Sequence, residues 1–239
     1  MIRWYPELPS TQSAALRAAR AASAEGTVFV AERQTAGRGR HGHTWASPPG
    51  AGLYCSLLLW PRRPVADLLL LTLASGLAAA DAVREACGLE AEIRWPNDLL
   101  FAGKKFGGIL IESALEGGRL CAALGVGLNL RPAALPPELA PIATALDDHL
   151  PRPCDRWALL QALVASLARR YRAWSNGEDA ALLAEFTARS RYAQGLEVVV
   201  GGADGYRGAT AGLEVNGFLR VRLASGEVRT VVSGDVRPA

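Results

Sequence analysis

The segment ERQTAGRGRHG, residues 32–42, decides which fold this sequence can adopt. It follows a β-branched run at 27–30 that predicts a strand, and its last six residues match the pattern GxGxxG of a dinucleotide-binding turn. Such a turn opens a helix and is followed about twenty residues later by an acidic side chain for the ribose. Here the next residues, HTWASPP at 43–49, cannot form a helix, and Arg62 and Arg63 stand at the later position. We therefore exclude a doubly wound nucleotide-binding fold.

The composition of this segment is that of a loop that closes over an anion. Arg38 and Arg40 alternate with glycines, and neither Asp nor Glu occurs between Glu32 and Asp67. Glycine lets the backbone approach a ligand, and arginine supplies planar, permanently charged donors for phosphate or carboxylate. A solvated basic loop would carry the same charge, but Trp45 favours a loop that forms the wall of a ligand site.

A second polar segment, RWPND at residues 94–98, ends one short predicted strand and begins another. Pro96 fixes the turn, so Asn97 and Asp98 project from a rigid corner. Asp98 is a candidate ligand for a magnesium ion, and Asn97 is a candidate contact for a phosphate or a base. The alternative is ordinary turn chemistry, because Asn and Asp are common after proline in turns.

The basic residues include only two lysines, the adjacent Lys104 and Lys105, among 26 Lys and Arg in total. This imbalance indicates a coding bias against lysine and raises the question of what arginine cannot do at these two positions. The alternative without a functional role is a basic hairpin turn, but Gly107 and Gly108 follow the lysines and allow a ligand to approach. A compact ammonium can point at one oxygen between two anions, where a guanidinium is too large. We therefore predict that Lys105 assists the attack of one anion on another.

The remaining composition limits the class of protein. A net charge of +3 over 239 residues is too mild to predict nucleic-acid binding. The longest strongly apolar stretch, 68–80, is too short to span a bilayer and predicts a buried helix, and the N-terminus carries no secretion signal. The four cysteines lack metal-ligand spacing, which predicts buried, reduced thiols in a cytoplasmic protein.

The hydrophobic patterns predict an α+β body, residues 1–190, followed by a β module, residues 191–239. Strands are predicted at 27–30, 53–60, 91–95, 98–102, 107–114 and 119–130. Helices are predicted at 12–24 after an N-cap at Ser10 and Thr11, at 67–87, from an N-cap at Asp155, and at 178–190. In the β module, turns are predicted at Gly201 and Gly202 and at Asn216 and Gly217.

Four motifs in register resemble those of the biotin protein ligase family. They are ERQTAGRGRHG (32–42) with Trp45, RWPND (94–98), Lys105 with GGIL (107–110), and GVGLN (125–129). Order and spacing agree from Ser10 to about Leu130, and the all-β tail resembles the SH3-like module of that family. The resemblance implies a mixed sheet flanked by helices, related to the catalytic domains of class II aminoacyl-tRNA synthetases.

The resemblance also implies an activity and a set of roles. Members of the family make biotinyl-5′-AMP from biotin and ATP with Mg²⁺, and transfer biotin to one lysine of a biotin carboxyl carrier domain. The implied biotin-binding residues are Ser10, Thr11, Gln12, Gln34, Arg38, Gly39, Arg40, Lys105 and Gly108. The implied ATP-binding residues are Arg38, Arg40, His43, Asn97, Asp98, Lys105 and Asn129. Catalytic roles are expected for Lys105 and Arg40, and a magnesium contact for Asp98.

Elementary electrostatics supports these roles. A carboxylate must approach a phosphate that is also negative, and at contact distance the repulsion amounts to several kcal/mol even at an effective dielectric constant of about 20. Arg40, Lys105 and magnesium can cancel that repulsion as charge develops. Three departures from the family pattern are Arg94 in place of a frequent lysine, His43 in place of an arginine in some members, and a Pro-rich stretch at 132–150 without an adenine-stacking tryptophan.

Two alternatives remain at this point. A lipoate or octanoate protein ligase shares the fold, although its basic and glycine motifs are spaced differently. A non-catalytic basic module would bind nucleic acid or an anionic partner through the arginines of residues 33–63. Only nine residues precede Ser10, which leaves no room for a winged helix, so we expect no DNA binding. Whether the protein is a monomer or a homodimer stays open.

Overall fold

The computed structural model describes residues 1–201, 205–234 and 236–239. The helices are α1 (Thr11–Arg20), α2 (Leu68–Cys87), α3 (Arg156–Ser175) and α4 (Asp179–Arg189). The strands of a first sheet are β1 (Ile2–Leu8), β2 (Val28–Gln34), β3 (Gly52–Leu59), β4 (Glu92–Arg94), β5 (Asp98–Phe101), β6 (Lys104–Glu116) and β7 (Arg119–Asn129). Those of a second sheet are β8 (Gln194–Val200), β9 (Tyr206–Leu213), β10 (Leu219–Arg222), β11 (Val228–Val231) and β12 (Val236–Pro238).

The first sheet has seven strands in the order β1-β2-β3-β7-β6-β5-β4. β1 pairs with β2 in parallel, and every other neighbouring pair is antiparallel. β3, the third strand in this order, lies between β2 and β7 and is buried along its whole length, which explains its largely apolar sequence. The predicted α+β class with a mixed sheet flanked by helices is confirmed.

Helices cover both faces of this sheet. α1 packs its small residues, such as Ala15, against Phe29 and Leu58 on one face. On the other face α2 and α3 pack together, with Leu77 and Leu163 in the same core cluster as the strands. Because α2 is enclosed between the sheet and α3, it is apolar nearly all round.

The apolar part of the helix that contains α2 is longer than the stretch of residues 68–80 counted from the sequence. The helical run Val65–Cys87 has 23 residues and a mean hydropathy of 1.6, so by length and composition it is able to cross a membrane. The expectation that its apolar stretch is too short was therefore wrong about length. Since 72% of its apolar window is buried inside the fold, it is placed as a core helix of this domain.

The helix caps differ from each other. Asp155 accepts hydrogen bonds from the backbone amides of Trp157 and Ala158 at 2.8 and 3.1 Å, as its predicted N-cap role requires. Ser10 occupies the N-cap position of α1, but its hydroxyl makes no capping bond. The predicted N-cap position at Ser10 is therefore confirmed, but among the described residues its hydroxyl forms no capping bond.

Strand predictions between residues 27 and 130 agree with the structure apart from shifted ends, but β1 was missed. Lys104 and Lys105 begin β6, whereas the hairpin turn before them consists of Ala102 and Gly103, both at positive φ. This placement matters for the site, because successive residues of a strand point to opposite faces. The two lysines therefore have different surroundings.

The second sheet is five-stranded and antiparallel, in the order β11-β10-β9-β8-β12, which is consistent with an SH3-like module. It packs on the body through the turn at Gly217, whose carbonyl accepts a 2.9 Å hydrogen bond from Trp95 Nε1. One core cluster runs through both parts, since Val198 and Leu219 belong to it with Trp95. The division at residues 190 and 191 thus separates two sheets that share a core. Of the turn predicted at Gly201 and Gly202, the second residue lies outside the described ranges.

A Pro-rich connection, which we call the strap (residues 131–154), joins β7 to α3. It forms short 3-10 turns and runs back along β6, where Lys105 donates its amide to Ile142 O at 3.0 Å and accepts from Thr144 N at 2.9 Å. The predicted loop is therefore ordered by backbone pairing to β6. This pairing brings the strap next to the residues of the four motifs.

Candidate active site

A cavity of about 530 Å³ lies where the motifs meet. Its walls come from the start of α1, the loop of residues 35–51 (the lid), the corner (residues 94–98), strands β3, β6 and β7, and the strap. All of the predicted site residues line it, namely Ser10, Thr11, Gln12, Gln34, Arg38, Gly39, Arg40, His43, Asn97, Asp98, Lys105, Gly108 and Asn129. The fold thus brings together residues that are more than a hundred positions apart.

At one end of the cavity a chain of hydrogen bonds fixes Gln34. Its Oε1 accepts from Thr11 N at 2.8 Å and from Thr11 Oγ1 at 3.1 Å, and its Nε2 donates to Ser47 Oγ at 2.9 Å. Thr11 Oγ1 also contacts Ser56 Oγ at 2.8 Å. Gln34 therefore connects α1 to the lid and keeps this end of the cavity in shape.

Two polar atoms at the same end have no hydrogen-bond partner in the part of the chain that the structure describes. Gln12 donates from Nε2 to Leu110 O at 2.8 Å, which leaves its Oε1 buried without a hydrogen bond, and Ser10 Oγ is also buried and unpaired. A buried polar atom without a partner destabilises a fold by about 1–3 kcal/mol. Trp45 Nε1 is a third buried atom of the cavity lining without a partner among the described residues, and together these atoms indicate a polar ligand group that both donates and accepts hydrogen bonds.

Two glycines of β7 make room for this arrangement. A Cβ atom at Gly125 would lie 2.9 Å from Gln12 Cδ, and one at Gly127 would lie 2.8 Å from Trp45 Cε2 and Nε1. The side chain of Gln12 and the indole of Trp45 consequently lie directly on the bare backbone of β7. Trp45 forms a wall of the cavity, as its position in the loop predicted.

The opposite part of the cavity is cationic. Asp98 lies between two cations, with Oδ1 2.5 Å from Lys105 Nζ and Oδ2 2.6 Å from Arg94 Nη2. Burial alone raises the pKa of Asp98, but the charges of Lys105 and Arg94 outweigh it and hold that pKa below its ordinary value. The carboxylate thus stays ionised and fixes the lysine ammonium, which also lies 5.5 Å from the centre of the Trp45 ring.

Arg40 reaches from the lid to the corner. Its Nη1 donates to Asn97 Oδ1 at 3.1 Å, while Asn97 Nδ2 donates to Ile109 O at 2.9 Å. Burial lowers the pKa of Arg40 and the Asp98 carboxylate opposes that effect, so the guanidinium remains charged in a partly desolvated position. Arg40 and Lys105 therefore bring two cations to one region of the cavity.

The expected magnesium role of Asp98 does not fit this geometry. Both of its oxygens are already paired with cations. Within residues 1–201, 205–234 and 236–239, groups of three or more His, Cys, Asp or Glu side chains that could hold a metal ion do not occur. We therefore assign no resident metal to Asp98, and treat magnesium as part of a nucleotide substrate.

Backbone bonds anchor both ends of the lid, from Ala36 N to Pro9 O at 2.8 Å and from Arg131 N to Ala51 O at 2.8 Å, and side chains tie its tip to the body. Arg38 Nη2 lies 2.7 Å from Glu112 Oε2 on β6, and Gly39 N donates to His43 O at 2.7 Å within the loop. His41 adopts a positive φ of 54°, and both it and His43 are exposed. The Arg38 guanidinium therefore pairs with the protein, so a direct ligand contact by Arg38 stays a prediction.

Sequence reasoning missed several residues of the cavity wall. Glu112, which pairs with Arg38 and is not part of the wall, was also missed. The missed wall residues include Ala134, Leu135, Pro136, Leu139, Ile142 and Ala143 of the strap, and Gly234, Val236 and Arg237 near the C-terminus. The strap residues carry no chemical signal, since apolar side chains and prolines are common in loops, and Arg237 is one of many arginines in this sequence. Asn129 was predicted, and its Nδ2 holds the strap by donating to Thr144 O at 3.3 Å.

Comparison with known proteins places these features in a family. The profile of the Biotin/lipoate A/B protein ligase family matches residues 5–129. The bifunctional ligase/repressor BirA of Bacillus subtilis is 38% identical over 172 residues, which are 71% of this chain and 53% of that protein. The biotin--[acetyl-CoA-carboxylase] ligase of Mycobacterium tuberculosis is 39% identical over 178 residues, 73% of this chain and 64% of that protein. The chain thus spans about half the length of the Bacillus relative that it matches.

Solved structures extend the likeness to the whole chain. The biotin protein ligase from Aquifex aeolicus in complex with biotin and ATP has a TM-score of 0.86 at 29% identity, covering 100% of this chain and 99% of that one. The biotin protein ligase from Leishmania major in complex with biotinyl-5-AMP has a TM-score of 0.68 at 27% identity, covering 97% and 98%. Both similarities include the second sheet.

Proposed function

The chain belongs to the biotin/lipoate A/B protein ligase family, and on this premise we propose that it is an ATP-dependent biotin protein ligase. In the first step a biotin carboxylate attacks the α-phosphate of ATP and pyrophosphate leaves. In the second step a carrier lysine attacks the acyl carbon of biotinyl-5′-AMP and AMP leaves. The relatives named biotin--[acetyl-CoA-carboxylase] ligase point to a biotin carboxyl carrier domain as the acceptor.

The choice of biotin rests on two buried atoms without hydrogen-bond partners among the described residues, Gln12 Oε1 and Ser10 Oγ, at the Gln34 end of the cavity. The ureido group of biotin has two N–H donors and one carbonyl acceptor, so it can satisfy both Gln12 Oε1 and Ser10 Oγ. The dithiolane ring of lipoate and the alkyl chain of octanoate have no such groups. They would leave both atoms buried and unpaired, a loss of about 1–3 kcal/mol for each.

The cationic part of the cavity supports the first step. A carboxylate and a phosphate repel each other, and Lys105 and Arg40 supply positive charge between the lid and the corner. Asp98, whose other oxygen is paired with Arg94, holds the Lys105 ammonium in a fixed position before the ligands arrive. Because the reaction joins two substrates, it needs no nucleophile from the protein, and magnesium enters with ATP as part of the substrate.

The lid supports the second step. It covers the cavity through Arg40, Trp45 and Arg38, each of which contacts a different part of the body. A closed lid keeps water from the mixed anhydride until an acceptor lysine arrives. The amine that attacks the anhydride is the lysine side chain of the carrier.

A non-catalytic basic module fits the contacts less well. Arg38, Lys105 and Arg94 are paired with Glu112 or Asp98 around a cavity, so they do not form an open basic surface. Binding of a nucleic acid by such a surface would weaken steeply with salt. We propose that the ligase activity resides in this chain and that it acts in the cytoplasm, in keeping with its reduced cysteines.

The test is carrier labelling with competing acids. The protein is incubated with ATP, magnesium, a carrier domain and either biotin or lipoate, and the mass of the carrier is measured. We expect the biotin adduct alone. Labelling by lipoate without labelling by biotin would overturn the assignment.

The variant Ser10→Ala tests whether the unpaired Ser10 hydroxyl contacts biotin. Ser10→Ala removes one unpaired atom without disturbing a capping bond, since Ser10 makes none. We expect the KM for biotin to rise about tenfold, with the KM for ATP unchanged. Equal increases in the KM for biotin and the KM for ATP would show that Ser10 does not contact biotin specifically.

A further inference from the structure

Two cysteines that are distant in sequence meet in the fold outside the candidate active site. Cys87 is the last residue of α2, and Cys154 immediately precedes the N-cap of α3. Their Sγ atoms lie 3.0 Å apart although 67 positions separate the residues. Among the described residues of the cavity wall neither cysteine appears, so the proposed ligase chemistry leaves this pair unused.

The backbone around both cysteines is fixed. α2 ends at Gly88, whose positive φ of 69° and 2.9 Å bond from its amide to Arg84 O terminate the helix. On the other side, Cys154 N donates to Asp147 Oδ1 at 2.8 Å, and Cys154 O accepts from Arg131 Nη2 at 3.2 Å. The two thiols are therefore held against each other by elements that are anchored independently of them.

The two thiols differ in reactivity. The hydrogen bond from Cys154 lowers the pKa of Cys87 against the opposing effect of burial, and Cys87 is half-buried. The same hydrogen bond, together with burial, raises the pKa of Cys154, which is 5% exposed. The more accessible and more acidic thiol is thus the first to react, and the buried one lies next to it. By contrast, burial raises the pKa of Cys55 to about 12.

We propose that Cys87 and Cys154 are a reversible dithiol–disulfide site whose co-substrate is a small-molecule disulfide of the glutathione type. The Cys87 thiolate attacks one sulfur of that disulfide, which releases one glutathione thiolate and leaves a mixed disulfide. The Cys154 sulfur, after loss of its proton to solvent, attacks Cys87 Sγ and expels the second glutathione. The protein loses two electrons and two protons, and the small disulfide is reduced to two thiols.

The new bond would close the part of the chain that carries the cationic half of the site. The segment between the two cysteines contains the corner, Lys105 and the strap. A disulfide restricts the unfolded chain more than the folded one, and the effect grows with the length of the closed loop. It would also fix the end of the strap, where Arg131 and Asp147 form a 2.6 Å ion pair. Oxidation therefore stabilises the segment between Cys87 and Cys154 and leaves the charged side chains of the cavity chemically unchanged.

The experiment compares the reduced protein with protein equilibrated in oxidised glutathione. Intact mass after alkylation reports the number of free thiols, peptide mapping identifies the linked pair, and calorimetry gives Tm. We expect two free thiols instead of four, a Cys87–Cys154 peptide, and a Tm higher by about 5–15 °C that dithiothreitol reverses. Four free thiols after oxidation, or a link that involves Cys55 or Cys121, overturns the proposal.

Cysteine variants show whether the change in Tm comes from the Cys87–Cys154 disulfide or from other effects of oxidation. Cys87→Ser and Cys154→Ser should each lose the difference in Tm between oxidising and reducing conditions. Cys121→Ser is the matched control, because Cys121 is also buried and should retain that difference whatever its own Tm. A difference that persists in Cys154→Ser excludes the pair as its source. None of these readouts depends on ligase activity.

Discussion

The lid and the corner both bring charge to the cavity, but they hold it in different ways. In the corner, the Asp98 side chain is 15% exposed and bonded to two cations that come from strands of the sheet. In the lid, the Arg38 side chain is 42% exposed and forms an ion pair with Glu112. The corner is therefore fixed before ligands bind, whereas the tip of the lid depends on side-chain contacts that are more exposed and easier to break.

This difference divides the proposed reaction between two regions. Charges that must be in place in the transition state are most effective when they are already oriented, and that condition describes Lys105. Charges that retain an intermediate must also let substrates enter, and that condition describes Arg38 and Arg40. Changes in the corner should thus affect the rate of adenylate formation, and changes in the lid should affect its retention.

The largest effect is expected for Lys105→Ala. Removal of one preorganised donor from a charged transition state reduces rates by about 10²–10³-fold. We expect a loss of that size in adenylate formation, measured as single-turnover pyrophosphate release, with little change in carrier binding. Lys104→Ala is the matched control, because Lys104 donates to Ala140 O on the strap and does not line the cavity.

Lys105→Arg sharpens this prediction. It keeps the charge, but a guanidinium replaces a compact ammonium between Asp98 and the Trp45 ring. We expect adenylate formation to remain at least about tenfold below wild type. Wild-type rates in Lys105→Arg would show that charge alone is sufficient and would remove the reason for a lysine here.

A smaller effect is expected for Asp98→Asn. The substitution removes the anion that fixes Lys105 and leaves Arg94 and Lys105 as unpaired like charges, so adenylate formation should fall about tenfold. Because both oxygens of Asp98 pair with cations, the magnesium concentration for half-maximal rate should not change. A titration with magnesium at saturating ATP measures this, and a clear increase in that concentration would restore a metal role to Asp98.

Next in size is Arg40→Ala, the first test of the lid. The variant loses the 3.1 Å bond to Asn97 that joins the lid to the corner. We expect biotinyl-5′-AMP to appear in solution about ten times faster than from wild type, because a loosened lid no longer covers it. Rapid filtration after one turnover separates bound from free adenylate. Retention equal to wild type would show that Arg40 does not hold the lid.

The smallest effect is expected for Glu112→Gln. An exposed ion pair such as Arg38–Glu112 contributes about 0–1 kcal/mol, so release of the adenylate should accelerate by at most about fivefold. Adenylate formation should stay at the wild-type rate, measured in the same single-turnover assay. A loss in formation without faster release would place Glu112 with the corner and not with the lid.

Much of the corner and its chemistry was predictable from the sequence. RWPND and Lys105 lie close together in the chain, Pro96 restricts the turn, and the scarcity of lysine identified the ammonium. The lid was predicted from its glycines, its arginines and Trp45, and the indole of Trp45 does line the cavity. In both regions the deciding information is local.

The remaining features depend on contacts between distant residues. β1 was missed because Trp4 and Pro6 do not follow a strand pattern, and parallel pairing with β2 orders the segment. The unpaired hydroxyl of Ser10 required knowledge of what surrounds it, since a serine before a helix normally caps it. The pairing of Arg38 with Glu112 is likewise set by how the lid folds onto β6.

Single-turnover pyrophosphate release with different acids tests the central claim most directly. Excess enzyme is mixed with ATP and magnesium, together with biotin, with lipoate or with neither. Of the three mixtures, we predict rapid pyrophosphate release only in the one that contains biotin. We predict that Lys105→Ala loses this pyrophosphate release and that Glu112→Gln retains it at the wild-type rate. Release that is as fast with lipoate or without any acid, or that persists in Lys105→Ala, would contradict the account.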